Sequence, residues 1–188
     1  MGFMVRDCGC NKSNYTEYVI GNNDLDLMKR LYKSSLNGDN HAHRKYLRQI
    51  FVSMDIIAPT YFTAELDTYK IGTTRNSCSL QHKGASRDFT IDDFSFDSED
   101  DYDAAYLLTA IDIVNYYRQK YIETKDYKYF IKMRQLMPMG YNYRFTYTMN
   151  YENVVNMIKQ CQNHKLPEWK EFCEILKTLP YIKEIMEE

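Results

Sequence analysis

Residues 142–162, NYRFTYTMNYENVVNMIKQCQ, change their hydrophobic period in the middle of the run. From Asn142 to Asn150, Tyr143, Phe145, Tyr147 and Met149 alternate with more polar neighbours, which is the two-residue repeat of a strand with one apolar face. From Tyr151 to Gln162 the apolar positions return at helical spacing. The strand feeds the helix without a linker, and the rest of the chain can be read outward from that junction.

Upstream, YKYFIKMRQLM (127–137) predicts a helix ending before Pro138, and AAYLLTAIDIVNYYRQKYIETK (104–125) predicts a long one. The carboxylate run just before it, in FTIDDFSFDSEDDYDAAYL, favours a helix N-terminus and reads as a solvated cap. Ile50 to Ile57 reads as a strand closed by Ala58-Pro59, with Pro59 at the first turn of a helix over TYFTAEL. His41 to Gln49 predicts a short helix. Asp24 is expected to cap a helix through LDLMKRLYKSSL that stops at Asn37-Gly38, and TEYVIG before it a short strand. The segment DTYKIGTTRNSCSLQHKG (67–84) is expected to be an irregular, hydrogen-bonding loop. Downstream, LPEWKEFCEILKTLPYIKEIMEE is helical with a break near Pro180. The class is α/β or α+β, with a small mixed or antiparallel sheet flanked by helices. With 188 residues, 7 Gly, 4 Pro and no internal repeat, residues 1–188 are expected to form a single domain, residues 1–12 being a flexible start.

A formal charge of −2 provides no basic field for broad nucleic-acid binding. No stretch approaches the roughly 18 apolar residues of a membrane span, and the first residues lack the signature of a secretory leader. The expectation is a soluble, cytoplasmic protein. Cys8, Cys10, Cys78, Cys161 and Cys173 are odd in number and scattered, which suits reduced thiols. The four histidines form no HExxH arrangement and Cys8-Gly9-Cys10 has no partner pair, so no metal site is expected. No Walker loop, GxGxxG turn or G-x-S-x-G elbow is present.

What remains is a polar cluster over four segments: His43, the loop from Lys70 to Lys83, the strand region from Arg134 to Asn150, and Asn156 to Lys165. Arg134, Arg144, Lys70, Arg75, Lys83 and Lys165 are candidates for phosphate contact, and the asparagines and hydroxyls for reading a base or an isoalloxazine edge. Each basic residue also reads as a solvated surface charge, the favoured reading for Arg144 and Lys165, whereas Arg75 lies inside the loop and is the favoured phosphate contact among them.

The block RQLMPMGYNYRFTYTMNYENVVNMIKQCQNHKLPEW resembles the C-terminal block of the flavin-dependent thymidylate synthases, and IFVSMDIIAPTYFTAELDTYKIGTTRNSCSLQ is similar to that family's strand, Ala-Pro helix and signature loop R-H-R-x-x-S-x-N-E-x-S-x-R. By that resemblance Arg134 matches an arginine that binds the pyrimidine nucleotide, while Asn150 and Asn156 match asparagines at the flavin and His43 a histidine near it. In the loop, Thr68, Tyr69 and Lys70 stand for R-H-R, Thr73 for the first serine, Arg75 for asparagine, Asn76 for glutamate, Cys78 for the second serine and Leu80 for the last arginine. A shift of one residue places Ser79 and Gln81 at those last two positions. Cys161 stands where the family has an arginine on the nucleotide, and Pro167 replaces a glutamine.

The resemblance therefore implies a nucleotide side made by Arg134, Arg75, Asn76, Cys78, Ser79 and Gln81, and a cofactor side made by His43, Tyr69, Lys70, Thr73, Asn150 and Asn156. It implies a homotetramer, FAD, and, for an active enzyme, NADPH and methylene-tetrahydrofolate, with no active-site cysteine needed. Each charged hydrogen bond lost from a phosphate costs about 1.5–3 kcal/mol. Replacement of two family arginines therefore weakens the family's nucleotide pose, so that either the ligand differs or other side chains compensate, and loss of the signature loop with retention of Arg134 places binding of a pyrimidine nucleotide ahead of catalysis. The alternatives are an active FAD-dependent methyltransferase making dTMP or a related C5-modified nucleotide, and a flavin-free protein that sequesters or senses a nucleotide.

Overall fold

The computed structural model describes residues 20–36, 41–78, 80, 84–97, 99–161 and 163–187. Its elements in chain order are α1 (Asn22–Leu36), a 3-10 helix (His41–Gln49), β1 (Phe51–Pro59), α2 (Thr60–Leu66), β2 (Thr74–Ser77), a 3-10 turn (Ile91–Asp93), α3 (Asp101–Thr124), α4 (Tyr127–Gln135), β3 (Asn142–Asn150), α5 (Tyr151–Cys161), α6 (Pro167–Lys177) and α7 (Ile182–Met186). The three strands form one sheet in the order β1-β3-β2. Facing pairs Ser53 with Thr148 and Asp55 with Thr146 give β1 and β3 antiparallel register.

The two-residue period behaves as read. Phe145, Tyr147 and Met149 on β3, and Met54, Ile56 and Ala58 on β1, are buried. Between them on the other face, the Thr146 hydroxyl donates to Asp55 Oδ1 at 2.6 Å, and the Ser53 and Thr148 hydroxyls meet at 3.0 Å.

The chain groups into two compact units built from interleaved segments. The first contains residues 56–68 and 76–145. Its core gathers Leu80, Phe89, Phe94, Leu107, Ile111, Val114, Phe130 and Met133, with α3 packed along α4. Asp100 starts α3 by accepting the amides of Tyr102 and Asp103 at 2.9 and 3.0 Å, so one of the carboxylates in the acidic run is a cap. Lys125, in the left-handed conformation at φ 56°, ends the helix.

The second unit contains, among the described residues, 20–36, 41–55, 69–75, 146–161 and 163–187. Here α5 packs on the 3-10 helix and on α6, and α1 on the 3-10 helix and α7. Glu152, at the start of α5, receives both Arg44, at 3.3 Å, and Arg48, at 2.5 Å.

Three local expectations need correction, and a fourth falls mostly outside the described residues. Helix α1 begins at Asn22, so Asp24 lies inside its first turn and does not cap it; its amide already donates to the Gly21 carbonyl at 3.0 Å. Ile20 and Gly21 carry no strand, and the rest of TEYVIG lies outside the described residues, as do residues 1–12. Pro59 is the extended last residue of β1 and the N-cap of α2, one place before the first helical position. The loop expected over 67–84 contains strand β2, whose partner β3 supplies a ladder that local composition does not reveal.

Candidate functional site

In the second unit the chain between α2 and β2 makes a tight turn at residues 69–73, pinned from several directions. The Tyr69 carbonyl accepts the Thr73 hydroxyl at 2.5 Å and the Tyr147 hydroxyl at 3.3 Å. The Ile71 carbonyl accepts Asn153 Nδ2 at 2.9 Å. The Tyr69 hydroxyl donates to Gln160 Oε1 at 2.6 Å, and its ring lies 5.8 Å from that of Trp169, which also meets His164 at 5.6 Å. Gly72 sits at φ +76°, and a Cβ there would stand 2.4 Å from Asn150 Nδ2. Asn150 is buried, and its Oδ1 accepts the Asn153 amide at 3.1 Å, the N-cap bond of α5. The tip of the turn, Lys70 and Ile71, faces solvent.

In the first unit a cavity of about 470 Å³ lies beside β3. Cys78, Arg144, Asn142 and Tyr143 line it together with Phe89, Tyr141 and the Arg87–Asp93 pair. The Cys78 amide donates to the Arg144 carbonyl at 3.0 Å, which brings the thiol and the guanidinium into one lining. Arg87 is committed: it grips Asp93 with two nitrogens, one at 2.8 Å. Asp93 also closes a capping box with Thr90, accepting its amide at 2.9 Å. Burial tends to raise the Asp93 carboxyl, but hydrogen bonds from Arg87 and Thr90 outweigh it and hold the carboxyl below the usual range. Burial, with the nearby Asp93 charge, pushes Tyr141 up to about 12, so at neutral pH it offers a protonated hydroxyl. Arg144, by contrast, is exposed and makes no side-chain bond among the described residues, and Cys78 is a free, exposed thiol.

The whole fold has solved counterparts. It matches thymidylate synthase X from Helicobacter pylori with FAD and dUMP at a TM-score of 0.63 and 14% identity, over 90% of this chain and 87% of that one. A second structure of the Helicobacter pylori flavin-dependent enzyme with FAD and dUMP matches at 0.50 and 13%, over 81% and 87%. A UMP/dUMP methylase, PolB, from Streptomyces cacaoi, bound with 5-Br dUMP, matches at 0.53 and 13%, over 87% and 76%. The fold is similar to that of thymidylate synthase X. No protein family's sequence model and no curated protein sequence matches the chain.

Within this thymidylate-synthase-X-like fold the residues singled out by sequence divide between the units. On the cofactor side, His43, Tyr69, Lys70, Thr73, Asn150 and Asn156 all belong to the second unit. Tyr69, Thr73 and Asn150 come together at the pinned turn, whereas His43 and Lys70 are exposed and Asn156 half-buried, with no hydrogen bond among the described residues. On the nucleotide side, Asn76, Cys78 and Arg134 belong to the first unit and Arg75 closes a segment of the second. Cys78 lines the cavity, and Arg75, Asn76 and Arg134 are exposed. Ser79 and Gln81 lie outside the described residues, as does Lys83.

Cys161 stands where the resemblance puts a nucleotide arginine, yet it is buried and joined to Cys173 by a disulfide, with Cα atoms 6.6 Å apart. That pairing corrects the expectation that both are reduced thiols, and it turns the position into the packing between α5 and α6. Scattered spacing could not reveal the pair, because two helices folding back on each other bring together residues 12 apart. The sequence reading also missed Arg87, Asp93, Tyr141 and Asn142 as cavity residues. The T-x-x-D pattern at Thr90 was a legible local signal, though only for a cap.

Among the described residues no group of three His, Cys, Asp or Glu side chains could hold a metal, and no helix is long and apolar enough to cross a membrane.

Proposed function

We propose that this protein binds a pyrimidine deoxynucleotide in the cavity beside β3 of the first unit. The carrying observation is the free Cys78 thiol and the uncommitted Arg144 guanidinium in one lining, on a fold whose solved counterparts hold dUMP or 5-Br dUMP. The volume is within the range of small-ligand pockets. Arg144 supplies the charge for a phosphate, with Arg87 neutralised by Asp93. The Nδ2 of Asn142, whose Oδ1 accepts the Ser95 hydroxyl at 2.8 Å, and the protonated Tyr141 hydroxyl supply neutral groups able to read a base. Arg134, Arg75 and Asn76 remain proposed contributors by resemblance, and so does the homotetramer.

A flavin fits the second unit only in part. Asn150 has its oxygen in the α5 cap and its nitrogen against Gly72, Thr73 has given its hydroxyl to Tyr69, and Tyr69 has given its own to Gln160. His43, Lys70 and Asn156 keep their polar atoms for a ligand. Half of the assigned donors are thus spent within the protein, and no chemical step is derived through FAD. Sequestering or sensing a nucleotide without flavin follows directly from this account. The FAD in two of the solved counterparts favours a second reading, an FAD-dependent methylase that also uses NADPH and methylene-tetrahydrofolate.

The test is alkylation of Cys78, followed peptide by peptide by mass spectrometry, with and without dUMP, UMP and dTMP. Deoxynucleotide is expected to protect Cys78, and Arg144→Ala to raise the protecting concentration tenfold or more, since a charged hydrogen bond is worth about 1.5–3 kcal/mol. Equal alkylation with and without every nucleotide overturns the proposal. A yellow protein releasing FAD on denaturation makes the methylase reading primary.

A further inference from the structure

The cavity beside β3 carries more charge than a phosphate needs. Four charged side chains line it: Arg87, Asp92, Asp93 and Arg144. Arg87 and Asp93 cancel, because the guanidinium grips the carboxylate through two nitrogens. That leaves one cation, Arg144, and one anion, Asp92. Both are exposed, and neither makes an ion pair or a side-chain hydrogen bond among the described residues. Opposite charges that share a lining without closing on each other are both open to a ligand. A ligand that meets the two brings an anionic group to the arginine and hydrogen-bond donors to the carboxylate, since an ionised carboxylate only accepts.

Pyrimidines differ at the edge such a carboxylate reads. Uracil and thymine present one ring N–H between two carbonyl oxygens, so a carboxylate brought to that donor also meets oxygens that repel it. Cytosine presents an exocyclic amino group at a corner of the ring, the group that Asp and Glu accept from when proteins read this base. The neighbouring groups agree. With its Oδ1 engaged by the Ser95 hydroxyl, Asn142 offers Nδ2 as a donor, and the Tyr141 hydroxyl is a second donor. Two donors and one acceptor complement cytosine's O2, N3 and amino group. Tyr141 and Asn142 are consecutive where β3 begins, and Asp92 belongs to the 3-10 turn, so the donors come from one element and the acceptor from another.

The turn that carries Asp92 is held in place. Thr90 and Asp93 close its capping box, Phe94 bridges to Tyr141, and Asn115 holds the Phe89 backbone through both amide atoms, at 2.8 and 2.9 Å. An acceptor fixed in this way discriminates, because it is not free to turn away from the wrong base.

We infer that the cavity selects a cytosine deoxynucleotide over a uracil one, with Asp92 accepting the exocyclic amino group while Arg144 holds the phosphate. The inference rests on the proposal that a pyrimidine nucleotide occupies this cavity, and it separates this chain from its solved counterparts, which hold dUMP or 5-Br dUMP. Asp92 is a specificity-determining residue here and takes no part in a chemical step.

Alkylation of Cys78 against rising dCMP and dUMP, read by mass spectrometry, tests it. In the native protein dCMP is expected to protect at a concentration at least tenfold below that of dUMP. Asp92→Asn, which adds a donor for the uracil O4, is expected to reverse the preference, and Asp92→Ala to abolish it without a gain for dUMP, both with unchanged circular dichroism. Should either variant fail to fold, the native comparison decides by itself. Equal protection by the two nucleotides, or dUMP protecting first, overturns the inference and leaves pyrimidine binding standing. A dCMP preference that survives both variants overturns the role of Asp92. Failure of both nucleotides to protect overturns the pyrimidine reading, and this inference with it.

Discussion

Asn150 packs directly against Gly72: a Cβ on Gly72 would stand 2.4 Å from Asn150 Nδ2, and the backbone at Gly72 is left-handed at φ +76°. The asparagine is held because its other polar atom caps α5, and the glycine is required because the asparagine is there. The turn at residues 69–73 and the start of α5 are therefore one mechanical piece.

Gly72→Ala is predicted to destabilise the protein by more than about 1 kcal/mol, combining the positive φ with a steric clash against a buried side chain. Urea unfolding measures it. A midpoint equal to that of the native protein would show that the turn gives way freely.

Asn150→Ala should cost about 1 kcal/mol through loss of the cap, whereas Asn150→Asp, which still accepts the Asn153 amide, should retain most of the stability. Thermal unfolding of the two variants separates the cap from any ligand contact. Equal losses in both would argue that the amide nitrogen matters more than the cap.

Asn153→Ala removes the donor to the Ile71 carbonyl and should loosen the tip of the turn. Trypsin cutting after the exposed Lys70 is expected to accelerate several-fold in the folded protein. No change in rate at that bond would mean that the bonds to Tyr69 hold the turn by themselves.

Burial raises Tyr46 and Tyr141 each to about 12, the first helped by Tyr32 and the second by Asp93 and Tyr143. A raised folded value means that the native state keeps these protons after the unfolded chain begins to release them near pH 10. The stability they contribute is complete below about pH 10 and declines as pH rises towards 12. Absorbance of tyrosinate during alkaline titration should show a late-ionising class that disappears in urea. Release of all tyrosines near pH 10 in the folded protein would contradict the burial described.

The periodic elements were legible because their causes are local. Strand β3 was read as Asn142–Asn150 from its alternation and α5 from its spacing, α2 was placed by the Pro before it, and the acidic run was read as a solvated cap, in which the structure makes Asp100 the capping carboxylate. Residue types also marked Tyr69, Thr73 and Asn150 as belonging together, by resemblance to a loop and a strand end that the fold does bring into contact. Their use was not legible. Whether an asparagine oxygen caps a helix or faces a ligand depends on where its neighbours stand in space.

By itself, then, the sequence determined the strand and helix periods, the acidic cap region before α3, and the resemblance that named the fold, because each is written in residue types and spacing along the chain. Tertiary structure alone decided that β2 joins the sheet, that Cys161 meets Cys173, and that Cys78 and Arg144 share a cavity while Arg87 is neutralised. Those depend on which surfaces are buried against which, and burial is a property of the packed chain that no short run of residues contains.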